Sequence, residues 1–335
     1  MPPFTPPVPL LLNRSNIGSL LSLETSITSV EAAFAAHARG ESLPPALMHV
    51  DADGGEFHVK AGGLRAGGRT YFTLKANGGF FQNRARHGLP NIQGLIYLAD
   101  GANGCPLAVL DSRDVTILRT GAATAVAVRH LARPGAKVAT VCGCGVQGRI
   151  QVRALAAVLP LEQIYVWSRD AARAADFAAT MSREFGLPVK PAESLPAALA
   201  ASDVVVTCTP AKKYFIEAGW VKPGALVAAI GSDSPDKQEV DPRLLAQNAV
   251  VCDLVAQCAE VGDLHHALTA GLMRVDQVRA ELGQVIAGLK PGRISADEII
   301  VFDSTGTALQ DAAVAVAAYQ RALASGRGTP FAFTA

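Results

Sequence analysis

The stretch "VATVCGCGVQGRI", Val138 to Ile150, decides the fold. Four apolar residues lead into Gly143, Gly145 and Gly148, after which the pattern turns helical. A buried strand, a G-x-G-x-x-G turn and a helix together make a site for a dinucleotide pyrophosphate. The first glycine permits the tight turn, the second lets phosphate approach the backbone, and the third lets helix and strand pack closely. N–H groups at the helix start and the helix dipole then meet the phosphates. An isolated glycine triplet carries little weight. Here a second strand, "QIYVWSR", follows at the spacing of a βαβ unit. Gly143, Gly145, Val146, Gln147 and Gly148 are therefore the candidate cofactor cradle.

The end of that second strand bears on which cofactor is held. An acidic residue there would accept hydrogen bonds from the adenosine ribose and select NAD. Ser168 and Arg169 stand there instead, a hydroxyl and a guanidinium suited to a 2′-phosphate. Asp170 follows directly, so a one-residue shift in the strand end restores the NAD reading. NADP(H) is favoured and NAD(H) remains open.

Working outward, apolar runs alternate with helical patterns from Asp114 onward: "QIYVWSR", "DVVVTCT", "ALVAAIG", "AVVCD" and "IIVFDSTG" read as strands. Runs without strict alternation, interleaved with helices, predict a parallel sheet covered on both faces. Before Asp114 the character differs. "TSVEAAFAAHARG" predicts a helix, with Thr28 and Glu31 at capping-box spacing and Gly40 at its end. "EFHVKAGGL", "RTYFTLKANGGFF" and "GLIYLAD" predict strands of a mixed or antiparallel sheet. The fold class is α/β, a Rossmann-type doubly wound parallel sheet plus a second, α+β domain.

Composition fits that architecture. Of 335 residues, 50% are hydrophobic and 18% charged, enough for two buried cores and against extended disorder. A net charge of +1 gives no electrostatic reason to expect nucleic acid or a membrane surface. The start "MPPFTPPVPLLLNRS" lacks a basic segment before its apolar run, and its prolines oppose a signal-peptide helix. Six cysteines, mostly within apolar runs, suit reduced thiols in a cytoplasmic protein. Neither "CGC" nor the His265–His266 pair has a partner at ligand spacing, so no metal is expected.

Polar residues recur in four other apolar or glycine-rich segments: "FTLKANGGFFQN", "VTILRTGAATA", "AIGSDSPDKQEVDP" and "FDSTGTALQD". Lys75 is placed at a strand end, Arg119 at the opening of an alanine-rich helix, and Asp233 beyond a parallel strand, where open α/β sheets bind ligands. In order, "LK…GFFQN", "LP…QG", "TILRTGAATAVAVRHLA", "GCGVQGR", "GSDSPDKQEVDP" and "STGTALQDAA" resemble the ornithine cyclodeaminase/μ-crystallin family over nearly the whole chain.

The resemblance implies a homodimer. It also implies a substrate-binding and dimerisation domain over 1–118, completed by the C-terminal helix over 306–335, with a Rossmann domain over 119–305. It assigns Lys75 and Asp233 to proton handling, Arg119 to a substrate carboxylate and Thr120 to the cofactor side. The family pattern also has a "PPR" arginine, whereas this chain has "PPALMH" with Ala46 in that place. His58 and Lys60, both candidate substrate-binding residues, replace a largely apolar segment nearby; Lys60 either supplies the missing positive charge or sits exposed on an edge strand.

Three functions follow from the resemblance. First is an NAD(P)-dependent oxidoreductase interconverting an imino acid and an amino acid by hydride transfer at the α carbon. The alternatives are an ornithine cyclodeaminase-type ammonia-lyase with a recycled cofactor, and a ligand-binding protein without turnover. The substrate is a small amino acid or cyclic imino acid.

Overall fold

The computed structural model describes residues 7–333. In chain order its elements begin with β1 (Leu10–Leu12), α1 (Arg14–Leu20), α2 (Leu23–Ala38), β2 (Ser42–Ala52) and β3 (Gly55–Ala66). β4 (Arg69–Gly79), α3 (Asn83–His87), β5 (Ile92–Asp100), β6 (Pro106–Asp111) and α4 (Ser112–Leu131) follow. Next come β7 (Val138–Cys142), α5 (Val146–Val158), β8 (Gln163–Trp167), α6 (Ala171–Phe185), β9 (Val189–Pro191), α7 (Leu195–Ala201) and β10 (Val204–Thr207). β11 (Lys212–Ile216), β12 (Leu226–Ala229), β13 (Gln238–Val240), α8 (Pro242–Gln247), β14 (Ala249–Cys252), α9 (Val255–Val261) and α10 (Asp263–Thr269) continue the chain. It ends with β15 (Ala280–Glu281), α11 (Leu282–Ile286), β16 (Ile300–Asp303), α12 (Ala308–Ser325) and β17 (Thr329–Pro330). Two compact units divide these elements: residues 7–119 with 307–333, and residues 120–306.

The first unit is a seven-stranded sheet in the order β17-β1-β6-β5-β4-β3-β2. Its strands from β2 to β6 are antiparallel neighbours, and β1 joins β6 in parallel. Along β4 burial alternates residue by residue, so Tyr71, Thr73, Lys75, Asn77 and Gly79 share the inner face. α12 packs on α2, β3 and β4. Its small side chains allow close approach: a Cβ at Gly62 would stand 3.0 Å from the Cβ of Ala308.

Some expectations change here. The second helix starts at Leu23 with Ser22 as its cap, accepting from the Thr25 N–H. Thr28 instead bonds the carbonyl of Glu24 inside that helix, so no capping box forms at Thr28. β2 escaped prediction because Pro44 and Pro45 fall within it. It survives as the outer strand of the sheet, with its register shift between Leu43 and Ala46, where prolines are tolerated.

The second unit holds an eight-stranded sheet in the order β15-β14-β16-β12-β10-β7-β8-β9, every pairing parallel. β10, β12 and β16 are buried at every residue, which is why their sequences are mostly apolar and do not alternate. Strand order reverses between β7 and β10, the switch point where such sheets bind ligands. All six cysteines are free thiols. Among the described residues, no helix is long and apolar enough to cross a membrane.

Candidate active site

Lys75 lies in the middle of β4 rather than at its end, and its side chain is 2% exposed. Its Nζ donates to Asp311 of α12, 2.8 Å from Oδ1 and 2.7 Å from Oδ2. Arg119, predicted at a helix start, stands in the eighth position of α4. Its Nε is 3.2 Å from Asp311 Oδ1, and its Nη1 donates to Gln310 Oε1 at 2.9 Å. Lys60 is directly opposite Lys75 in the β3–β4 register and is buried, so the exposed edge-strand reading is set aside. Lys75 and Arg119 therefore share one buried carboxylate, and the charge of Lys60 acts on the same group.

The backbone fixes this set from two directions. Asn77, two residues beyond Lys75 on the same face, accepts from Ser112 Oγ at 2.6 Å. Its amide donates to Thr116 Oγ1 at 3.4 Å. Ser112, Thr116 and Arg119 recur at helical spacing along one side of α4, so these bonds also hold the side that carries the guanidinium.

Electrostatics follow from burial. Removal from water pushes the Lys75 ammonium down to about 7; Asp311 opposes this, while Arg119 and Lys60 add to it. For Asp311, burial alone would raise the carboxyl, but Lys75 and then Arg119 hold it below its ordinary value. The result is a buried lysine whose proton is held near neutrality, beside the Arg119 guanidinium. The segment "STGTALQDAA" does not by itself single out Asp311. The available signal was one carboxylate in an alanine-rich helix.

The remaining sequence candidates fall into place as follows. His58 lies on the inner face of β3, 3.2 Å from Glu56 and edge-on to His49, rather than on Asp311. Asp233 belongs to the second unit, beyond β12, and its Oδ1 accepts from Lys237 Nζ at 2.7 Å. Thr120 is buried in α4. Beside it, Gly121 faces α5 so closely that a Cβ would meet Ile150 at 2.5 Å.

The glycine turn fits a dinucleotide. Gly143 has φ +125°, and a Cβ there would sit 2.9 Å from the carbonyl oxygen of Cys208. A Cβ at Gly148 would fall 1.8 Å from the carbonyl oxygen of Gly143. Gly145 caps α5 with extended backbone, and Val146 opens the helix, exposed. Gln147 Oε1 is buried with no hydrogen-bond donor among the described residues, which suits a ligand donor. Ser168 and Arg169 follow β8 directly, while Asp170 caps α6 through the Arg173 N–H. Sequence reasoning missed Arg173, whose Nε donates to the Cys144 carbonyl at 3.1 Å. Together with Gly145, Val146, Arg149 and Phe177 it lines a hollow of about 350 Å³.

The profile of the ornithine cyclodeaminase/mu-crystallin family matches residues 8–326. The chain belongs to that family. A curated relative, the iminosuccinate reductase of Paracoccus denitrificans, is 38% identical, the match covering 93% of this chain and 96% of that protein. Δ1-Pyrroline-2-carboxylate reductase from Thermococcus litoralis, solved with NADH and L-proline, superposes with TM-score 0.90 at 31% identity, covering 96% and 100%. An archaeal alanine dehydrogenase dimer with bound NAD gives TM-score 0.91 at 34% identity, covering 97% and 99%. At the level of the family, the chain is an NAD(P)-dependent enzyme of amino-acid chemistry.

For a member of this family the third glycine of the turn is open to direct test. Gly148→Ala must push apart the turn and the helix start, an overpacking of about 1–3 kcal/mol. NAD(P)H binding, followed by nicotinamide fluorescence, is expected to weaken about 10- to 100-fold on that scale. Wild-type affinity in a folded variant would remove this turn from the cofactor site.

Proposed function

We propose that this family member is an NADP(H)-preferring imino-acid reductase, running in reverse as an amino-acid dehydrogenase. The observation that carries the reading is the buried pair Lys75 and Arg119 on the single carboxylate of Asp311, two cations to one anion, which suits an anionic ligand. A substrate carboxylate meets that need. Arg119 offers it a planar fork, and Lys60 supplies the positive charge absent at Ala46. A bound nicotinamide cofactor would supply the hydride for the imino carbon. In reduction Lys75 gives its proton to the substrate nitrogen, and in oxidation the neutral amine takes it back. Asp233, held by Lys237, is assigned the second proton-handling role, on the amine or on an attacking group.

Ser168, Arg169 and Arg173 support NADP(H), because a hydroxyl and two guanidinium groups suit the 2′-phosphate. The outward face of the first sheet supports a homodimer. It exposes Met48, Val50, Phe57 and Leu95, apolar side chains that a second copy would cover. Light scattering of the purified protein is expected to give twice the chain mass.

The deciding experiment follows nicotinamide absorbance with NADPH and a panel of five- and six-membered cyclic imino acids and the imines of small amino acids. Stoichiometric NADPH oxidation is expected, with a preference over NADH that Arg169→Ala reduces. Ammonia release from L-ornithine without net oxidation would instead make the enzyme a cyclodeaminase. An unchanged NADPH/NADH ratio in Arg169→Ala would refute its assignment to the 2′-phosphate.

A further inference from the structure

We propose that His49, Glu56 and His58 form a binding site for a divalent transition-metal ion of the zinc class. The three lie on the β2–β3 hairpin, where His49 pairs directly with His58 across the strands. Glu56 precedes His58 by two residues, which puts it on the same face of the hairpin. One ligand atom from each residue lies within 4.8 Å of the other two. His58 Nε2 is 3.2 Å from Glu56 Oε1, and His49 Nε2 is 3.7 Å from Glu56 Oε2. The imidazole rings meet edge to face, 4.6 Å between centroids.

These separations match the chemistry of the donors. Zinc bonds nitrogen and oxygen at about 2.0–2.2 Å, so tetrahedral ligand atoms stand about 3.3 Å apart. The two contacts to Glu56 lie near that value, and the separation of the two imidazole nitrogens is within 4.8 Å. Each neutral imidazole would bind through Nε2 and carry its proton on Nδ1. Two imidazoles and one carboxylate leave a fourth position for water or for Asp51, whose Oδ1 is 3.0 Å from His49 Nε2. Both carboxylates add the negative charge that a divalent cation needs.

No short ligand spacing in the sequence announces this site. A hairpin instead brings H-x6-E-x-H together through cross-strand register. The same register separates it from the proposed catalytic set. Lys60 lies two residues beyond His58 on the same face, a step of about 7 Å along the strand. The proposed metal site therefore stands beside, and apart from, the carboxylate Asp311.

The test titrates chelator-stripped, tag-free full-length protein with zinc by calorimetry. One ion per chain is expected. His49→Ala and Glu56→Gln should each weaken binding about 10- to 100-fold, whereas His265→Ala should not change it. His49 is exposed on the outer strand and Glu56→Gln keeps the side-chain shape, so both variants are expected to fold, checked by circular dichroism. A wild-type protein without stoichiometric binding would overturn the proposal. So would folded variants that bind zinc as tightly as wild type. Neither result bears on NADPH oxidation, which is measured separately.

Discussion

Replacing Lys75 with alanine is expected to lower kcat for imine reduction by about 10²- to 10⁴-fold, the range for loss of a positioned general acid. Cofactor affinity should stay at the wild-type value, since the glycine turn of the second unit is untouched. Full turnover in the variant would eliminate Lys75 as the proton donor. The wild-type pH profile gives an independent reading. With Lys75 near 7, reduction requires the protonated amine, so kcat/KM for the imine should fall as pH rises through about 7. Amine oxidation requires the neutral form, so its kcat/KM should rise through the same region. Profiles that moved together in both directions would assign the titration to another group.

Asp311→Asn is expected to have the largest effect on stability. Its carboxylate is the shared partner of Lys75 and Arg119, and removing one member of a buried ionic set costs about 3–5 kcal/mol. Chemical denaturation would measure that loss. A second readout separates electrostatics from simple loosening. Asp311 is the group that raises Lys75, whereas burial, Arg119 and Lys60 all lower it. Without the carboxylate, the midpoint of the reduction profile should move below about 7. An unchanged midpoint, with stability lost, would reduce Asp311 to a structural role. An unchanged stability would contradict the buried ion-pair account altogether.

How much could be read beforehand differs between the two units. In the second, "VATVCGCGVQGRI" and the later apolar runs announce strands, turn and helices in chain order. The reason is local, because each buried parallel strand is mostly apolar, without strict alternation. In the first unit, prolines hid β2, and the alternating strands gave faces without saying what covers them. Arg119 was recognised by its segment yet placed at a helix opening, although α4 begins seven residues earlier. Lys60 was left between two readings. Nothing in "EFHVKAGG" distinguishes a buried lysine from an exposed one until β3 is paired on both sides.

The sequence by itself determined the dinucleotide turn, the parallel sheet and the family. It also supplied Lys75 and Arg119, because each of these rests on residues close together in the chain. Tertiary structure alone brought Asp311, 236 residues beyond Lys75, onto the lysine, and paired His49 with His58 across a hairpin. Such contacts join segments that share no local pattern. They arise when burial forces charged and polar groups to find partners wherever the packed chain presents them.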